Sequence, residues 1–314
     1  MNNPSQTVLL INRFKALNDQ NPIPLFFGID QEGGRISKLP GNLTDIPTNM
    51  EIGQVNNQNF SFEIGQVLGK MVKAYGFNVN FAPVLDVNSN PNNPVIGDRS
   101  FGNNPYLVAD LGIQTMKGLM KEKIIPTIKH FPGHGDTSVD SHLELPRVDK
   151  TLTQLESLEL IPFKRAIESG AEMVMVAHLL LPKIDPNLPS SLSEKIISDL
   201  LRKDLGFNGV IITDDLTMKA ISENFTIGAA AVESIKAGTD IVLVTHKYEN
   251  ISKVFSALKE AVLRGELSEE RINESVQRIL ELKKKYEISD DLVVTVNTEK
   301  LNQEMEAVLF KYLQ

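Results

Sequence analysis

Ile124-Ile125-Pro126-Thr127-Ile128, followed at once by Lys129-His130-Phe131-Pro132-Gly133-His134-Gly135-Asp136-Thr137-Ser138-Val139-Asp140-Ser141-His142, is the stretch on which the fold of this chain turns. An apolar run of strand length empties into a Gly/Pro loop that holds three of the five histidines, with Asp and Lys beside them. Catalytic groups sit on loops carried by a rigid scaffold, so this junction reads as an active-site loop. Imidazole titrates near neutrality and trades protons at physiological pH. The competing reading is a solvated turn capped by Asp.

The same junction recurs along the chain. Nearly continuous apolar runs at 24–29, 79–85, 124–128, 173–177, 210–213 and 240–245 predict six strands, and helical patterns at 106–122, 155–169, 192–205 and 268–286 alternate with them. Runs apolar on both faces belong to a parallel sheet covered by helices. Polar groups follow five of them directly: Asp30-Gln31-Glu32-Gly33-Gly34-Arg35, residues 86–99, residues 129–142, His178, and Asp214-Asp215. A barrel draws its site from many βα loops, whereas a doubly wound sheet concentrates it at one switch point. The expected fold is therefore α/β, a TIM-type (β/α)8-like barrel. Ser190 and Ser191 are the expected caps of the helix at 192–205, and Gly206 its stop.

Composition narrows the function classes. The 314 residues carry a net charge of −8 with a pI near 5.3, which argues against a nucleic-acid partner or an anionic-membrane surface. No apolar run is long enough to predict a membrane span. Without cysteine there is neither disulfide framework nor thiolate chemistry, which fits a reducing compartment. Met1-Asn2-Asn3-Pro4-Ser5-Gln6 shows no basic region ahead of an apolar run, so no leader is expected and a cytoplasmic location is. No G-x-G-x-x-G opens a helix and no phosphate-binding G-x-x-x-x-G-K-[ST] occurs, so nucleotide cofactors are not expected.

Three groups carry chemistry. Asp214, at the mouth of the run Val210-Ile211-Ile212-Thr213, suits attack on an electrophilic carbon or stabilisation of a cation; helix capping is the alternative, and Asp215 is expected to cap. Asp140-Ser141-His142 places a carboxylate where it fixes an imidazole tautomer, or else forms an Asx-turn. Asp30, Arg99, Lys129, His130 and His178 form a polar set suited to a hydroxyl-rich ligand, with charge neutralisation or packing as the plain alternative for each. His130, His134, Asp136, Asp140 and His142 are also metal-ligand types, but their spacing matches no compact zinc signature, and no metal is expected.

In this order the motifs resemble the β-N-acetylhexosaminidases of glycoside hydrolase family 3, the peptidoglycan-recycling N-acetylglucosaminidase type. The matching stretches are Phe27-Gly28-Ile29-Asp30-Gln31-Glu32-Gly33-Gly34-Arg35, Phe81-Ala82-Pro83-Val84-Leu85-Asp86-Val87, Gly97-Asp98-Arg99-Ser100-Phe101, Lys129 to Thr137 with Asp140-Ser141-His142, and Thr213-Asp214-Asp215-Leu216-Thr217-Met218. The resemblance implies a retaining exo-enzyme acting on a terminal N-acetylglucosaminide, without cofactor or metal. Asp214 would be the nucleophile, His142 the acid/base and Asp140 its orienting partner, with Asp30, Arg99, Lys129, His130, His178 and Met218 around the sugar. A β-glucosidase or β-xylosidase, a phosphorylase and a non-catalytic sugar-binding fragment are the alternatives. Family barrels carry a strand and helix ahead of the Asp-Gln-Glu-Gly-Gly segment, whereas one helix at 4–18 precedes it here, so the chain reads as N-terminally truncated. The expected domains are a barrel at 1–288 and a tail with a final helix at 289–314; the oligomeric state is left open.

Overall fold

Parallel pairing is the first consequence of those apolar runs. The computed structural model describes residues 3–138, 141 and 144–313, which contain eight strands. They are β1 (Gly28–Ile29), β2 (Gln31–Gly33), β3 (Ile36–Ser37), β4 (Val79–Asn80), β5 (Ile125–Phe131), β6 (Met173–Val176), β7 (Val210–Asp215) and β8 (Ile241–Leu243). Six of them, β1-β4-β5-β6-β7-β8, pair in chain order. These are the six predicted strands, and their order has no reversal of the kind that marks a switch point. Sequential parallel strands with helices between them are the connectivity of a βα-barrel.

Several boundaries differ from the sequence reading, each for a local reason. β1 starts late because Leu25 and Phe27 give their N–H groups to the side chains of Asp290 (3.1 Å) and Asn78 (2.8 Å) instead of to a ladder. The predicted helix at 155–169 is two helices, Leu152–Glu156 and Leu160–Glu168. Pro162 explains the break: it lacks an N–H and its ring would clash with the carbonyl four residues back, so it belongs in a first turn. Ser190 and Ser191 do not cap the helix that follows them. Their hydroxyls bond Leu179 O and His178 Nδ1, and that helix, Lys195–Asp204, is a wider π-type one that ends before Gly206 at φ +67°. The hairpin β2–β3, turning through Gly33 (φ +112°) and Gly34 (φ +50°), was not expected.

The chain divides into two compact units: Met1–Leu85 with Asp98–Ile128 and Lys283–Gln314, and Asp86–Gly97 with Lys129–Leu282. In the first, the helices Gln58–Ala74 and Pro105–Lys121 pack backbone to backbone. A Cβ on Gly65 or Gly118 would stand 2.3 Å from Thr115 O or Phe62 O, respectively. Phe60, Ile64, Leu68 and Met71 are buried there with Leu111, Met116 and Leu119. The final helix, Thr298–Tyr312, docks on the first of these through the Phe60–Tyr312 rings (centroids 5.0 Å apart) and the Lys70–Glu304 and Lys311–Glu63 pairs (2.6 Å each).

In the second unit, Leu192, Leu216, Ile221, Ala230, Ala231 and Val254 form one core cluster. Asp240, just ahead of β8, has a fully buried side chain. It accepts from Arg202 (2.6 Å), Ser275 (2.7 Å), Ile211 N (2.9 Å) and Arg278 (3.1 Å).

Candidate active site

The end of β5 delivers two of the predicted groups. All seven residues Ile125–Phe131 are buried, so Lys129 and His130 arrive on a strand and not on a mobile turn. Asp86 meets them from the segment after β4. Fully buried, it accepts from His130 Nδ1 (2.7 Å), His134 N (2.7 Å) and His130 N (3.3 Å). A carboxylate at Nδ1 places the proton of the neutral ring there and leaves Nε2 the acceptor. Burial pushes Asp86 upward, but the His130 and His134 imidazoles and the His134 amide outweigh it and hold the carboxyl below its usual range.

His134 secures the loop instead of facing a ligand. Its Nδ1 meets the Thr137 hydroxyl at 2.8 Å and its Nε2 the Ser141 hydroxyl at 3.4 Å, while Asn93 holds its carbonyl at 2.8 Å. Burial drives this imidazole down to about 4, against the pull of Asp86, so it is neutral at physiological pH. Gly135 lets the loop pass Val87, whose carbonyl oxygen would lie 1.7 Å from any Cβ. Asp140 and His142 lie outside the described residues.

Asp214 stands at the C-terminal end of β7, half-buried, with Oδ1 accepting from Asp215 N at 2.8 Å. Burial opposes its ionisation. The His178 and His130 imidazoles, the Asp215 amide and the Lys129 ammonium prevail and keep the carboxyl below its ordinary value. It is therefore an ionised carboxylate, held so by its imidazole neighbours, the Lys129 ammonium and one peptide N–H. His178 is oriented from both sides: Nε2 donates to Asp215 O at 3.0 Å, which leaves Nδ1 as acceptor for the Ser191 hydroxyl at 2.6 Å.

Asp215 caps no helix. Its carboxylate takes Thr217 Oγ1 (2.6 Å) and N (3.0 Å) and the Thr245 hydroxyl, tying the end of β7 to the end of β8. Met218 is buried and precedes the short helix Lys219–Ser222.

The other predicted residues belong to the first unit. Asp30 directly follows β1. Arg99 forks onto Glu32, Nε to Oε2 at 2.9 Å and Nη2 to Oε1 at 2.7 Å, while Asn49 holds its carbonyl at 2.6 Å. Gln31 pins its own hairpin by accepting from Lys38 N (2.8 Å) and Leu39 N (3.0 Å). The Asp-Gln-Glu-Gly-Gly segment thus spends two of its polar residues on architecture.

Within the second unit the fold brings Lys129, His130, His178 and Asp214 into one electrostatic group. Sequence reading missed Asp86 and Ser191, which orient the two imidazoles. Asp86 has a visible signal, its place at the end of a predicted strand; Ser191 has none, because its position ahead of an amphipathic run reads as a cap. Among the described residues no three His, Cys, Asp or Glu side chains gather as a metal-binding group.

A sequential βα domain with ionisable groups at its strand ends is a barrel-type enzyme domain. Residues 1–282 match the glycosyl hydrolase family 3 N-terminal domain, and the chain belongs to that family. It is 36% identical over 320 residues to beta-hexosaminidase A of Pseudoalteromonas piscicida, covering 94% of this chain and 54% of that protein. The solved β-N-acetylglucosaminidase of Paenibacillus sp. str. FPU-7 superposes with a TM-score of 0.92 at 40% identity, over 99% of this chain and 60% of that one. A beta-glucoside phosphorylase, BglX, bound to 2FGlc, superposes with a TM-score of 0.87 at 26% identity, over 97% and 58%. The chain thus spans little more than half the length of these relatives.

Proposed function

We propose that this chain carries the chemistry of a retaining exo-β-N-acetylglucosaminidase, releasing terminal N-acetylglucosamine from cell-wall or chitin-like saccharides. The single observation that carries the mechanism is Asp214, kept ionised at the end of β7 by His178, His130 and Lys129 against its own burial. Retention requires such a carboxylate as nucleophile and a second group that acts first as acid and then as base. In the first step an Asp214 oxygen bonds to the anomeric carbon as the glycosidic C–O bond breaks, and the departing oxygen takes a proton from His142. In the second, His142 removes a proton from water, which displaces the Asp214 ester and restores the carboxylate. Asp140 orients His142. The sugar-holding roles of Asp30, Arg99, Lys129, His130, His178 and Met218 belong to the same reading. The N-acetyl preference is supported by the names of the hexosaminidase relatives.

Phosphorolysis is the second reading, favoured by the likeness to a beta-glucoside phosphorylase. A histidine base is neutral when it acts and repels phosphate less than a carboxylate does. One experiment addresses both. Incubation with a 5-fluoro N-acetylglucosaminyl fluoride and peptide mapping is expected to label Asp214 and leave Asp215 unlabelled. Label elsewhere defeats the mechanism. Product release that needs inorganic phosphate favours phosphorolysis, and turnover confined to glucosides removes the N-acetyl assignment.

A further inference from the structure

Glu159 is a buried carboxylate that the mechanism above does not use. Its side chain has no exposure, its Oε2 meets no hydrogen-bond partner among the described residues, and its Oε1 takes Lys150 Nζ. It precedes the helix Leu160–Glu168 without capping it. The same Lys150 Nζ lies 2.8 Å from Asp136 Oδ2. Glu159 also packs on the first turn of the loop: a Cβ on Gly133, which has φ +127°, would stand 2.7 Å from Glu159 Cβ. Just before this, the rings of Phe131 and Phe163 meet edge to face, with centroids 5.4 Å apart. One helix start therefore grips the loop at Gly133 by packing and at Asp136 through an ammonium.

Stability does not account for this arrangement. Asp136 is one-third exposed, and an ion pair at such a position contributes about 0–1 kcal/mol. A buried carboxylate with an unmatched oxygen costs more than that. What the chain of charges does supply is a fixed position for Asp136, four residues ahead of Asp140 and six ahead of His142. We infer that Glu159 and Lys150 are positioning residues, which fix Asp136 and so anchor the loop that leads in sequence to Asp140 and His142, on which proton donation depends. This rests on the assignment of His142 as acid/base.

Leaving-group dependence tests it. Lys150→Met, Lys150→Arg and the part-exposed Asp136→Asn are assayed on the 4-methoxyphenyl and 2,4-dinitrophenyl β-N-acetylglucosaminides. Proton donation contributes 10²–10⁴-fold, so kcat/KM on the methoxyphenyl substrate is expected to fall on the order of 10²-fold in Lys150→Met. On the dinitrophenyl substrate, whose phenolate leaves unprotonated, it falls less than about 5-fold. Azide, a nucleophile that needs no base, raises kcat of that variant on the dinitrophenyl substrate. Lys150→Arg keeps the parent pattern, and Asp136→Asn follows Lys150→Met. Equal losses on both substrates, or an Asp136→Asn variant that behaves as the parent, overturn the clamp alone. A parent chain that turns over neither substrate overturns the glycosidase reading and the clamp together.

Discussion

Asp214, at the end of β7, and Asp240, just ahead of β8, both belong to the second unit, yet they receive very different sets of donors. Asp240 receives two guanidinium groups, a hydroxyl and a peptide N–H, and a third guanidinium, Arg271, lies 3.5 Å away. Burial pulls Arg202 down to about 10 even though Asp240 favours its charge. Asp214, at the end of β7, receives one peptide N–H among the described residues, with its remaining stabilisation from imidazoles and an ammonium. A saturated carboxylate has no lone pair to offer an electrophile. One held ionised mainly by surrounding charge keeps its nucleophilic oxygen. What separates the two carboxylates is therefore the number of direct donors each receives.

Exchanging either acid for its amide separates the two roles. Asp214→Asn is expected to lower kcat on an N-acetylglucosaminide by on the order of 10⁴-fold or more, as loss of a nucleophile does. Its unfolding free energy in urea should stay within about 1 kcal/mol of the parent, since the amide oxygen still accepts from Asp215 N, the single direct donor among the described residues. Stability lost along with activity would place Asp214 in the class of Asp240. Asp240→Asn should destabilise by about 3–5 kcal/mol in urea unfolding, because guanidinium groups are left buried without their anion. The folded fraction of that variant keeps its kcat.

A smaller effect comes from His134, which is also buried but neutral. Its imidazole titrates at about 4 in the folded chain and at the ordinary 6.5 once the chain unfolds. Between these values the unfolded chain binds more protons, so stability rises with pH across the window. The contribution is complete above pH 6.5 and is lost as the pH falls toward about 4, to a total of about 3 kcal/mol. His134→Asn should flatten unfolding free energy against pH over that interval. An unchanged slope would mean that His134 is not the group responsible.

The strands were legible because each is a local apolar run, and six such runs became the six parallel strands. The residues at their ends were legible for the same reason, from Asp30 after β1 to Asp214 at the end of β7. Short-range chemistry was read less well. Pro162 broke a predicted helix, and Ser191, expected to cap, orients His178 instead. Arg99 was visible as a candidate, but its fork onto Glu32, 67 residues away, left no trace in spacing.

The sequence by itself determined where the strands lie, which ionisable side chains stand at their ends, and the family to which the motifs point. All of these are properties of contiguous residues. Tertiary structure alone decided which groups serve those side chains: Asp86 orients His130 from 44 positions away, Ser191 sets His178, and Lys150 carries Glu159 to Asp136. Such pairings depend on which distant segments the folded backbone brings within hydrogen-bond range, and no periodicity along the chain encodes that distance.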